Sequence, residues 1–101
     1  MNEGLINSII FHLGELNVLR RNRKEVEKHV SVRFCMLFKM ETEIEYELVW
    51  NLGGKIDVYY IANDRDYYLG TMNMTIYKNN IKACAIAILG LIYAHAMTKG
   101  A

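Results

Sequence analysis

The chain has no proline, two cysteines among 101 residues, and almost no net charge. Each scarcity excludes something. Without proline, helices and strands have no interior breaker of that kind. Cys35 and Cys84 allow at most one internal bridge, too few for a disulfide-stapled scaffold, and the pattern fits a reducing compartment. Twelve lysines and arginines against eleven acids leave a charge of +1, so no global field gathers nucleic acid or anionic lipid. The first residues carry no secretory leader pattern. Glu3 stands where a basic region belongs, and no small-residue cleavage site follows the apolar part. These features predict a cytoplasmic protein.

Apolar residues, by contrast, make up 52% of the chain, and 23% is charged. That balance belongs to a folded domain and not to a disordered one. The length suits one domain spanning residues 1–101. The most apolar stretch closes the chain. From Ile81 to Met97 only Lys82 and His95 are strongly polar, so this helix is apolar on nearly every side. A chain of this size has little core with which to cover it. Three rows run along it. Ile81, Cys84, Ile88 and Ile92 form one, Ala83, Ala87, Gly90 and Ala94 a small-residue row, and Ile86, Leu89, Tyr93 and Met97 a third. A sheet takes one row and a neighbouring helix another. The row Ile86, Leu89, Tyr93, Met97 is left over and predicts a homodimer interface. A bilayer is disfavoured as the cover, because a span takes about 20 predominantly apolar residues and this window is shorter.

An N-terminal helix is expected from Leu5, Ile9, Leu13 (or His12), Leu16 and Leu19, widened by Ile6 and Ile10 with Phe11 and Val18 beside them, and with Asn2 as its cap. The run Arg20-Arg21-Asn22-Arg23-Lys24 suits the C-terminal end of that helix. From Val30 to Trp50 the even positions are apolar save Thr42, and the odd ones include Arg33, Lys39, Glu41, Glu43, Glu45 and Glu47, which is the period of a strand. Its length requires a fold-back, placed at the polar Glu41-Thr42-Glu43. Phe38 would then face Tyr46, Met36 face Leu48 and Phe34 face Trp50, with Lys39 beside Glu45 on the other side. Asn51–Lys55, with two glycines, is a turn. Ile56–Ala62 is the third strand. Asn63–Asp66 turns again, and Tyr67–Tyr77 is the fourth strand, with Tyr68, Met72, Met74 and Ile76 inward and Gly70 beneath Tyr60. The expected fold is therefore α+β: an N-terminal helix, a four-stranded antiparallel meander and the C-terminal apolar helix, both helices on one sheet face.

No constellation carries chemistry. The spacings of two cysteines and three histidines match no zinc ribbon or finger. Cys84 lies among apolar neighbours that favour a packed, inert thiol. His12, His29 and His95 read as packing or capping residues. Glu41, Glu43, Glu45 and Glu47 line one strand face at intervals of two, the pattern of a solvated face or an acidic docking strip. Gly53-Gly54 opens no helix and so is no phosphate loop. No catalytic, metal or cofactor site is expected.

The odd sheet face carries a broken apolar patch among charges, including Leu37, Val49, Tyr59, Ile61 and Leu69. Such a patch is suited to another protein. These features predict a non-enzymatic protein-interaction module, an inhibitor, adaptor or chaperone-like protein, acting as a homodimer and binding its partner through that face. The alternative is a nucleic-acid-binding module using Arg20, Arg21, Arg23 and Lys24, opposed by the glutamates and by the missing RNP-type aromatic motif.

Overall fold

In the computed structural model, residues 18–26, 29–38, 41–51, 54–73 and 80–100 are described, with side chains from residue 31 onward. Five strands follow one another: β1 (Val18–Val26), β2 (His29–Phe38), β3 (Thr42–Asn51), β4 (Lys55–Ala62) and β5 (Arg65–Asn73). Each pairs antiparallel with the next, so the sheet order is the chain order. One helix, α1 (Ile81–Thr98), follows the sheet.

The expected fold class is corrected here. The sheet has five strands and not four, because β1 precedes the meander read from the sequence. Val18 and Leu19, assigned to the end of an N-terminal helix, are strand residues, as is the whole basic run. The rest of that expected helix lies outside the described residues, so α1 is the one helix the structure shows. The reason is long-range. Without β1, β2 would present an unpaired row of backbone groups, and an antiparallel hairpin satisfies them. Four cations in five residues also suit an outermost strand, where charge deters edge-to-edge pairing.

The hairpin β2–β3 keeps the expected faces but not the expected register. Phe34 pairs with Tyr46, Met36 with Ile44 and Phe38 with Thr42. The reversal sits earlier than the glutamates suggested, with the Glu41 amide donating to the Phe38 carbonyl at 3.1 Å. An odd connection preserves parity wherever it is placed, so even positions stay inside. Glu45 stands opposite Cys35 and not in the expected pairing with Lys39, which itself lies outside the described residues. At the β4–β5 hairpin Asn63 and Asp64 both take positive φ, 54° and 59°, as a two-residue turn of the primed type requires.

The register slips between Val58 and Tyr59, so that Gly70 pairs with Val58 but Tyr68 with Tyr59. This bulge overturns two assignments. Tyr68 does not point inward; it is exposed and its ring meets Tyr59 at 5.8 Å. Leu69 leaves the odd face and packs against the core. Gly70 lies beneath α1 and not beneath Tyr60. A Cβ there would approach Leu91 Cδ1 to 2.9 Å.

The even face and α1 enclose the core. Val32, Phe34, Met36 and Phe38 come from β2, Ile44, Tyr46, Leu48 and Trp50 from β3, and Ile56 and Val58 from β4. Cys84, Ala85, Ile88, Ile92 and Ala96 meet them from the helix. Fully burying each large aliphatic or aromatic side chain contributes roughly 1.5–3 kcal/mol, so this layer holds α1 in place.

Candidate interaction surfaces

α1 begins where Asn80 Oδ1 accepts the Ala83 amide at 2.9 Å, satisfying one of the open donors of the first turn. Its buried residues recur at helical spacing, which fixes the face turned to the sheet. The opposite face is apolar and open. Ile86 is 59% exposed, Tyr93 39% and Met97 74%. Of the four residues assigned to a subunit contact, these three stand out to solvent, while Leu89 is half-buried against the core. Tyr93 leans on Phe38 with ring centroids 5.7 Å apart. The small-residue row lies beside them, with Gly90 and Ala94 exposed and Ala83 and Ala87 half-buried. Apart from its chain neighbours and the backbone of its own helix, nothing stands within 4 Å of the place a Gly90 Cβ would take. By length and composition α1 also suffices to cross a membrane, a test that core helices pass as well.

The odd sheet face is more closed. Cys35 and Ile61 are buried, and Leu37, Val49 and Tyr59 are half-buried. Leu69 is not part of it. Arg33 Nε donates to Glu47 Oε2 at 3.2 Å, and Arg33 Nη2 lies 3.7 Å from Asp66 Oδ1. The hydrogen bond to Glu47 raises the Arg33 pKa further above its ordinary value. The glutamate row is thereby divided: Glu41 and Glu43 are exposed, whereas Glu47 is buried against Arg33. Beside it runs a polar chain. Tyr68 hydroxyl meets Thr71 Oγ1, Thr71 donates to Asp57 Oδ1 at 2.6 Å, and Asn51 Nδ2 donates to Asp57 Oδ2. Burial and the nearby Asp57 raise the Tyr59 pKa.

The basic run lies on β1 and not at a helix end. Arg21 stands opposite Phe34, Asn22 opposite Arg33, Arg23 opposite Val32 and Lys24 opposite Ser31. Arg20 falls in the irregular stretch between Val18 and Arg21.

A fourth feature was not legible in the sequence. Tyr46, buried in the core, places its hydroxyl 3.0 Å from His95 Nδ1 and donates to the Ile92 carbonyl at 3.4 Å. Tyr60 lies against the His95 ring at 4.2 Å, Tyr67 against Tyr60 at 5.6 Å, and Lys99 Nζ sits 5.1 Å from the Tyr60 centroid. A cleft of about 450 Å³ opens there, lined by Tyr60, Tyr67, Leu69, His95 and Lys99 among others. Burial pushes the Tyr46 hydroxyl far above the ordinary phenol range, with Tyr60 adding to it. Burial, helped by Lys99, lowers the His95 pKa.

A pH dependence follows. The folded chain holds His95 neutral more firmly than the unfolded chain does, so the unfolded state binds the extra proton first. Stability is fully present above the unfolded value near 6.5, and falls as pH drops from there toward the lower folded value. Thermal unfolding should therefore show a lower midpoint at pH 5 than at pH 7.5. In His95→Gln that difference should shrink; an unchanged difference would assign it to other groups.

Cys84 is fully buried and burial pushes its thiol up to about 11, leaving it protonated and unreactive at neutral pH. Cys35 and Cys84 are not joined to each other. Among the described residues no group of three or more His, Cys, Asp or Glu is placed to hold a metal ion. Comparison with family models, with curated proteins and with solved structures finds no match.

Proposed function

We propose that the protein is a small non-enzymatic interaction module that works as a homodimer, with the open face of α1 as the contact between its subunits. One observation carries this reading: Ile86, Tyr93 and Met97 project from a single helix face that the core, among the described residues, leaves exposed. Three large apolar side chains in one row represent a substantial gain on burial, and a twofold pair is the commonest way to bury such a face. A second copy is favoured over a lipid surface by charge. A helix lying in an interface carries lysines and arginines on its polar side, and α1 offers Lys82 alone. A partner protein would meet the odd sheet face at Leu37, Val49 and Tyr59, the apolar positions there that stay half-open among Glu45 and Asp57.

Sedimentation velocity over a range from about 1 to 100 μM tests the reading, since micromolar association corresponds to roughly 8 kcal/mol. A shift from monomer to dimer across that range is expected. A monomer throughout would end the proposal.

A further inference from the structure

We propose that two copies pair α1 against α1 in antiparallel orientation, with Gly90 of each on the twofold axis. This rests on the self-association reading above and adds its geometry. The open side of α1 presents Ala83, Ile86, Ala87, Gly90, Tyr93, Ala94 and Met97, at intervals of three and four that form one continuous seam. The seam is symmetric in position about Gly90 and antisymmetric in size. Under a twofold axis through Gly90, a residue some number of places before it meets the residue the same number after it. Ile86 then meets Ala94 of the partner subunit, Tyr93 meets Ala87 of the partner subunit, and Met97 meets Ala83 of the partner subunit. Every large side chain falls on a small one, the arrangement that packs two helices closely. At the centre, where the helices come nearest, each chain has a glycine with open space above it.

Charge gives the same orientation. Lys82 is exposed and is the one formally charged side chain in Ile81–Thr98. In the antiparallel pair it lies level with Thr98 of the partner subunit, near the helix end whose carbonyls carry partial negative charge, while Lys99 at that end is turned to the sheet side over the Tyr60 ring. A parallel pair in register would set Lys82 on Lys82, Ile86 on Ile86 and Tyr93 on Tyr93, which adds repulsion and crowds the wide positions while leaving gaps at the narrow ones.

A size swap tests the geometry in the full chain. Ile86→Ala leaves a gap opposite Ala94, and Ala94→Ile crowds Ile86. Each alone should weaken the dimer about tenfold or more, a change of about 1.4 kcal/mol or greater. The double variant Ile86→Ala with Ala94→Ile exchanges the large and small partners and should return to within a few-fold of the unmodified chain. Circular dichroism confirms that each variant is folded. A second measurement uses Ala83→Cys and Met97→Cys with a short bismaleimide, the unmodified chain serving as the blank for its buried thiols. The two variants should cross-link when mixed and not singly. If the unmodified chain is monomeric, including one that floats with lipid vesicles, the self-association reading fails and takes the geometry with it. If it is dimeric but the double variant is no better than the singles, or either cysteine variant cross-links alone, the antiparallel register is overturned while self-association stands.

Discussion

Ile88→Ala is expected to cost about 2–5 kcal/mol of folding free energy, the range for deleting a buried aliphatic side chain from a packed core. Ile88 is fully buried, midway along the helix row that meets β2, β3 and β4. Against a total stability of about 5–15 kcal/mol for a domain, that loss is a large fraction, and thermal midpoints should fall by roughly 4–8 °C for each kcal/mol. The informative control is two residues away. Ile86 is the same residue type on the same helix, but at 3.6 residues per turn it lies about 200° around the axis and is largely exposed. Ile86→Ala should change the folding stability of the monomer by about 0.5 kcal/mol or less. Denaturant unfolding of both variants, at a chain concentration low enough to suppress association, reads the difference directly. Equal losses would mean that α1 is rotated relative to the sheet, and the open face would then be misassigned.

How α1 divides its faces was partly open to a reader of the sequence. The row Ile81, Cys84, Ile88, Ile92 could be told from the row Ile86, Leu89, Tyr93, Met97 by spacing alone, yet spacing does not say which row meets the sheet. In the sheet, alternation from Val30 to Trp50 assigns each residue to a face, because moving a turn by an even number of residues leaves the faces unchanged. For the same reason it cannot place the turn. The glutamates drew it toward residues 41–43, whereas the pairing of Phe38 with Thr42 sets it earlier. β1 was hidden because a strand that exists to pair with another carries no strong pattern of its own, and Arg20–Lys24 also satisfies the rules for a helix end. The bulge that moves Leu69 to the helix side depends on how Tyr59 and Tyr68 pair, a tertiary fact. The Tyr46–His95 hydrogen bond joins residues far apart in the chain, and nothing local in either neighbourhood announces it.

The larger effect on assembly should come from Ile86→Lys with Met97→Lys. Both side chains stand well clear of the core, at 59% and 74% exposure, so two lysines there can keep their ammonium groups in water in an isolated subunit. Neither substitution removes a hydrogen bond, and lysine is a strong helix former, so the helical signal and the unfolding midpoint of the monomer should stay close to those of the unmodified chain. In a pair of helices the same positions are desolvated. Four added ammonium groups would have to be buried or splayed outward, with no acid on either helix to receive them, and an unpaired buried charge is far costlier than any single apolar contact is favourable. The dissociation constant should therefore rise about 100-fold or more, equivalent to roughly 2.7 kcal/mol, leaving a monomer at concentrations where the unmodified chain is a dimer. The orientation of the helices does not enter this argument, because either arrangement buries both positions. A folded double-lysine variant that still sediments as a dimer would move the contact off α1 altogether, most directly onto an outer strand of the sheet, since among the described residues β5 pairs only with β4.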